Sequence, residues 1–276
     1  MLTDHRICYL AAAERHSVTS TKPSAPPGLE RTLQQPHAMA VRLRSTVVSR
    51  LADNRKAWLI PHRWAAPLLL IPLVPLPILA LGGHLEHPWF YAVTVEDGIV
   101  EWVQFVALIA GAVVWGIVAI RWHRLRQHVM AVLIMMVALM AVVVAGEEIS
   151  WGQRVLGWTT PAELDAINHQ GELNFHNISS IEFVTRIGQF GASAFGVVLP
   201  LLALGGRFAS RIGAAYLIPP VGLISFFLVP LAYWVIRIQM DPARAMLRFS
   251  EVPELSLYAG FAIFGWLSVR RLTETA

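Results

Sequence analysis

The apolar residues of this chain run in long, nearly unbroken stretches rather than as one face of amphipathic helices. Six windows approach the roughly 20 mostly apolar residues that a membrane-crossing helix needs: 64–81, 99–120, 129–146, 183–204, 212–236 and 255–269. The first carries Pro67, Pro72, Pro75 and Pro77. Each proline frees a backbone carbonyl, so this span is predicted to kink and to pack against neighbours that satisfy it. The last window is short and is expected to begin a few residues earlier, near Pro253. The pattern predicts an all-α fold, a polytopic integral membrane helical bundle of about six transmembrane helices.

Upstream, residues 1–38 are polar, contain Pro and Ser, and show no sustained periodicity, which reads as disorder. The apolar run at 8–13 is too short for a signal peptide and is followed by Glu14 and Arg15. Met39 opens an alternative start with a basic lead-in. The expected organisation is a disordered basic tail over 1–56 and a six-helix transmembrane domain over 57–272, with its largest outer loop at 147–181.

Composition supports this class. The chain is 55% hydrophobic and 14% charged, with a mean hydropathy of +0.54. A soluble domain carries about 25% charged residues. Disordered, fibrous and disulfide-stapled classes are excluded, and an ordinary soluble enzyme is disfavoured. Cys8, the single cysteine, forms no internal disulfide and leaves the spans without a catalytic thiol.

A net charge of +4 and a pI near 9.6 suggest a nucleic-acid partner until the charges are placed. Outside residues 1–38, 13 basic residues flank one side of the spans and five the other, which by the positive-inside rule puts both termini in the cytoplasm. No nucleic acid is expected. The bilayer is the partner, the Arg, Ala and Gly bias fits a GC-rich bacterial genome, and the expected location is the inner (plasma) membrane. Of the 18 acidic residues, 13 fall on the outer side or at outer span ends.

Three of these acidic groups sit where a carboxylate is costly. Glu96, Asp97 and Glu101 open the second span, and on a helix Asp97, Glu101 and Gln104 share a face. Acids at a helix start are also favoured by the dipole, a reading that suits Glu96 and Asp97 better than Glu101. Glu147 and Glu148 close the third span in VVVAGEEISWGQR, where the dipole disfavours them. That pair needs a cation, a metal or a shared proton. If the helix continues, Glu147, Ser150 and Arg154 share a face and Arg154 neutralises one Glu. Glu251 and Glu254 open the sixth span after Ser250, a candidate cap.

The outer loop is polar in a patterned way. Thr160-Pro161-Ala162-Glu163 reads as a capping box and predicts a short surface helix over 161–168. Between residues 168 and 177, polar side chains fall at every second position. An extended chain would present Asn168, Gln170, Glu172, Asn174 and His176 to one side. Ser179-Ser180-Ile181-Glu182 reads as a second capping box that starts the fourth span. Carboxamide, carboxylate and imidazole groups without Lys or Arg suit ligand or proton handling.

GEEISWGQR followed by N-x-QGE-x-N-x-HN resembles a motif pair in a family of uncharacterised bacterial multipass membrane proteins, and the EDGxxEW stretch at the second span is similar to theirs. The resemblance runs from Trp64 to about Val269 and implies a shared architecture without an activity. A fainter likeness is to the CAAX-type intramembrane metalloproteases, which carry a Glu pair and an Arg four residues after its second Glu. Here Arg154 stands six residues after Glu148, and no Phe-x-x-x-His helix is present.

Three functions follow as expectations. In the first, a membrane-embedded enzyme at the outer leaflet uses Glu101, Glu147, Glu148 and His176 as catalytic groups. Glu101, Glu148 and His176 would ligate a divalent metal such as Zn, Mn or Fe, which activates water for hydrolysis of a lipid or peptide. Trp151, Gln153, Arg154, Asn168, Gln170, Glu172, Asn174, Glu251 and Glu254 would line the binding site. In the second, the chain is a proton-coupled small-solute transporter, since ionisable residues in membranes are functional candidates. The acids lie at one end rather than at the midplane, which argues against a carrier. In the third, the chain is a non-catalytic scaffold whose loop contacts a membrane-protein partner. No phosphate-binding loop, HExxH or GxSxG is present.

Overall fold

A computed structural model of the chain describes residues 45–94, 98–205, 217–239 and 249–274. Glu96 and Asp97, the tail before residue 45, and Arg207, Arg211, Arg244 and Arg248 lie outside the described residues. Two compact units divide the chain, Met1–Thr46 and Val47–Ala276. Of the first only Ser45 and Thr46 are described. The elements below belong to the second, and among the described residues they are all helical.

Residues 47–57 are helical, although they were expected within the disordered tail. The reason is an anchor just beyond them. Trp58 and Ile60 are buried in the core, Trp58 meets Phe264 edge-on at 5.6 Å, and Arg271 lies over its indole. Asn54 Oδ1 also accepts the amide of Val221 at 3.0 Å.

The first predicted span is two helices, α1 (His62–Leu70) and α2 (Pro75–His84). The expected kink falls between them, where Ile71, Leu73 and Val74 donate to Pro67 and Leu70 carbonyls in tight turns. Pro72 leaves the Leu68 carbonyl without its helical donor, and Ser225 Oγ from a packing neighbour reaches it at 3.4 Å, as expected. Most of this segment is nonetheless exposed on the isolated chain. A short helix, α3 (Pro88–Val93), follows.

The bundle is built from α4 (Ile99–Arg124), α5 (His128–Glu148), α8 (Ser179–Leu204), α9 (Ile224–Gln239) and α10 (Glu251–Glu274), with the short α6 (Gln153–Leu156) and α7 (Ala162–Asp165) between α5 and α8. α4 packs on α5 and α10, and α9 packs on α8 and α10. The sequence shows why α5 comes close: its buried residues are Ala131, Ile134, Ala138, Ala141 and Ala145, spaced three and four apart. Small side chains on that seam let helix backbones approach. At the centre, Trp115 stacks on Phe261 at 5.6 Å, meets Phe264 at 4.9 Å and donates its indole N–H to the Phe261 carbonyl.

Among the described residues, five stretches are long and apolar enough to cross a membrane: His62–His84 across its kink, α4, α5, α8 and α10. The architecture is that of a multipass membrane protein. The fifth window of the sequence, 212–236, is a shorter apolar helix, Val221–Arg237. α10 starts at Glu251, as the early start near Pro253 anticipated.

Helix directions sort the charges. Gln104 near the start of α4 bonds the start of α10, and Arg121 near the end of α4 donates to the Val269 carbonyl near the end of α10 at 2.8 Å. These two helices therefore run parallel. One end of the bundle collects the starts of α4, α8 and α10 and the end of α5. The opposite end carries Arg121, Arg270 and Arg271.

Candidate functional site

The acidic end has two layers, a polar loop frame and a carboxylate cluster beneath it. The frame begins where α5 stops. Ser150 and Trp151 adopt left-handed backbone angles (φ 47 and 54), followed by Gly152 at φ 75. Such angles cost about 1–3 kcal/mol for a non-glycine residue and persist only where surrounding contacts impose them. Here the contacts are visible. The Trp151 indole folds back across Gly146, where a Cβ would lie 2.8 Å from the ring, and its Nε1 donates to Glu147 Oε1 at 2.7 Å. Ser150 Oγ donates to Glu172 Oε2 at 2.8 Å.

The helix therefore ends before Arg154, and the expected face of Glu147, Ser150 and Arg154 does not form. Arg154 pairs instead with Glu172 at 2.5 Å. Glu172 also accepts from Asn174 Nδ2 at 2.7 Å, and Asn174 is tied to Asn168 Nδ2 at 2.9 Å. The 168–176 segment is not extended. Asn168 Oδ1 accepts the backbone N–H groups of Gln170 and Glu172, and Gly171 turns the chain at φ 67. That turn buries Asn168, Glu172 and Asn174 together while Gln170 stays exposed, bonded to Asn177.

Neither capping box forms. Pro161 and Ile178 occupy the N-cap positions without a side-chain cap, and the predicted 161–168 helix is only the four residues of α7. The Thr160 hydroxyl is used elsewhere, accepting from Gln153 Nε2 and donating to the Gly171 carbonyl. Gln153 Oε1 accepts the Leu173 amide at 2.6 Å, so Gln153 staples the two sides of the loop. Glu182 pairs with Arg186, and Ser179 bonds His169.

Glu147 belongs to this frame. Besides Trp151, it accepts the backbone N–H groups of Phe175 at 2.6 Å and His176 at 3.0 Å. His176 Nδ1 has no hydrogen-bond partner, and Glu147 Oε2 lies 3.6 Å from it, an ion-pair distance. Burial alone would lower the His176 pKa. The adjacent Glu147 and the charges of Glu148 and Glu172 outweigh burial and hold it above the ordinary histidine value.

Beneath the frame lies the cluster. Among the described residues, Glu148, Glu251 and Glu254 each bring a carboxylate oxygen within 4.8 Å of the others. The ligand set expected from the sequence, Glu101, Glu148 and His176, overlaps this group only in part. Glu148 keeps its place, but Glu101, half-buried in the first turn of α4, and His176, bound into the frame, are outside the group. Tyr258 donates to Glu148 Oε1 at 2.9 Å, and Gln189 Nε2 reaches the Tyr258 hydroxyl at 3.4 Å. Gln104, 0% exposed, donates through Nε2 to the Glu251 carbonyl at 2.8 Å and to its carboxylate at 3.2 Å. The Oε1 of the same carboxamide is buried without a partner. Arg237 at the end of α9 lies within electrostatic reach of Glu254.

The sequence reading missed Gln104, Tyr258, Gln189 and Arg237 as partners of these acids. Gln104 alone carried a signal, as a buried-face amide one turn beyond Glu101. No protein-family model, curated protein or solved structure matches the chain.

Proposed function

We propose that this is a multi-pass protein of the bacterial inner membrane, with both termini cytoplasmic and the acidic end outside. There it acts as a metal-dependent, membrane-embedded hydrolase of a lipid or peptide substrate. One observation carries the reading: the Glu148, Glu251 and Glu254 oxygens within 4.8 Å of one another, beside the unpartnered Oε1 of buried Gln104. Carboxylates this close repel unless a cation or protons lie between them. The available donors are carboxylate, carboxamide and phenol oxygens, which suit a hard ion such as Mg²⁺, Mn²⁺ or Ca²⁺ better than Zn²⁺.

Glu148, Glu251, Glu254 and Gln104 would hold the ion, with Tyr258 fixing the Glu148 carboxylate. A bound divalent ion supplies Lewis acidity and a water of lowered pKa. His176, facing Glu147 and within electrostatic reach of Glu148, is placed to carry the proton. Glu147 positions His176 and does no chemistry itself.

The test is calorimetric titration of Mg²⁺, Mn²⁺, Ca²⁺ and Zn²⁺ into the full chain in nanodiscs, alongside hydrolysis of lipid and peptide panels with and without chelator. The reading expects stoichiometric binding, lost in Glu148→Gln and Glu254→Gln, and chelator-sensitive hydrolysis. Variants that bind like wild type overturn it. A second reading, a proton-coupled carrier, is favoured by the Gln189–Tyr258–Glu148 chain leading from the bundle to the cluster. Solute uptake driven by a pH gradient and abolished by Glu148→Gln, without metal binding, would establish that instead.

A further inference from the structure

The connection from α5 to α8 combines two properties that seldom coexist in a water-exposed loop. Four of its polar groups turn inward: Ser150, Asn168, Glu172 and Asn174 are buried and bonded to one another. Its large apolar side chains turn outward. Val155 is 70% exposed, Trp158 54%, Phe175 53% and Trp151 43%. An exposed apolar set of this kind marks an interaction surface.

The loop's tether says which. It is held at the level of the last turn of α5, since Glu147 binds the Trp151 indole and the backbone of Phe175 and His176. Trp158 is kept close by a hydrogen bond from its backbone N–H to the Gln153 carbonyl, and Gln153 in turn holds Leu173. Both flanking helices are long and apolar enough to span a membrane. The outward side chains therefore continue the exposed apolar surface of α5 and of the α8 start, where Phe183, Val184 and Ile187 are exposed. Non-helical backbone near lipid is tolerated when its polar groups are satisfied within the protein. Trp at that depth is the usual interfacial side chain.

We infer that residues 149–178 form a cap lying in the headgroup–acyl boundary of the bilayer, with Trp151, Val155, Trp158 and Phe175 in contact with lipid. The inference rests on the long helices crossing a bilayer, and not on the cation site. Glu163 and Asp165 on α7 are exposed carboxylates, and the cap predicts that they face water.

The experiment uses single spin-labelled cysteines in the full chain with Cys8→Ser, reconstituted in phosphatidylethanolamine–phosphatidylglycerol vesicles. Labels replace Trp158 and Phe175, with Met136 on α5 as the bilayer reference and Glu163 as the aqueous reference. Collision rates are measured with oxygen, which concentrates in lipid, and with a water-soluble nickel chelate. The cap predicts an oxygen-to-nickel ratio at 158 and 175 severalfold above that at 163 and approaching that at 136. A ratio equal to that at 163 places the loop in water and overturns the inference. Protection from both reagents at 158 and 175 overturns it too, because a protein partner or second copy would then cover the surface. The reference at 136 separates failure of the cap from failure of the membrane reading. Because these four positions are exposed, labels there leave the core intact.

Discussion

Removing the Glu172 carboxylate measures how far the loop frame depends on one side chain. Glu172 accepts from Ser150 Oγ, Asn174 Nδ2 and Arg154 Nη2. In Glu172→Ala, Ser150 and Asn174 remain buried, and each leaves a donor without its acceptor. The cost is about 1–3 kcal/mol per group. Asn174 Nδ2 recovers part of this through Ser150 Oγ at 3.1 Å. Arg154 adds little, because its side chain is 53% exposed and rehydrates, so its share is about 0.5–1 kcal/mol. The sum is about 3–5 kcal/mol for Glu172→Ala, against at most about 1 kcal/mol for Arg154→Ala. Because the frame lies outside the helices, the loss registers as local opening. Hydrogen–deuterium exchange of the 150–178 peptides should quicken by about two to four orders of magnitude in Glu172→Ala, at roughly 1.4 kcal/mol per decade, and less than about tenfold in Arg154→Ala. Equal effects in the two variants, or less than tenfold in Glu172→Ala, would refute the assignment of Glu172 as the buried hub.

Two further outcomes follow from the same frame. Gly146→Ala puts a methyl 2.8 Å from the Trp151 ring and should open the loop by about 1–3 kcal/mol, read by the same exchange; combining it with Trp151→Ala should cost less than the sum of the two, since the clash is then gone. His176 has a folded-state pKa raised above its ordinary value of 6.5, so its stabilising contribution is complete below about pH 6.5 and fades as pH rises through the higher folded value. The thermal midpoint in detergent should therefore fall with rising pH above about 6.5 in wild type and stay flatter in His176→Gln; a midpoint that rises over that range would contradict the Glu147–His176 pairing.

The parts of this protein readable from its sequence are those set by composition over long windows. Apolar runs such as 129–146 have one stable use, and α5 covers that run. The kink after Pro67 follows because proline cannot donate, whatever surrounds it. Local polar motifs were less reliable, because their side chains had competing partners. Thr160 belongs to a capping box by spacing, yet its hydroxyl is claimed by Gln153 and Gly171. The alternation of Asn168, Gln170, Glu172, Asn174 and His176 looks like a strand face, but Asn168 bonds two amides just ahead and folds the segment into a turn. The carboxylates of the acidic end illustrate the same limit. Adjacent Glu147 and Glu148 look equivalent in sequence, and they part only because Trp151 and the Phe175 and His176 amides claim the first. Glu251 and Glu254 read as ordinary first-turn acids, since nothing in a linear chain reveals that α10 starts beside the end of α5.

That juxtaposition gathers three carboxylates at the acidic end. At the start of α10 the helix dipole favours Glu251 and Glu254, while at the end of α5 it disfavours Glu148. Packing the two ends together adds carboxylate repulsion to an already unfavourable Glu148, and Tyr258 supplies a single neutral hydrogen bond in return. Arg237 lies within electrostatic reach of Glu254. A loop cap seated in the membrane boundary, as proposed, would limit water around these groups and so strengthen their interactions. The same exclusion would strengthen attraction for a cation at the proposed site. Gln104 Oε1, buried and without a donor, would be a further oxygen available to it in that proposal.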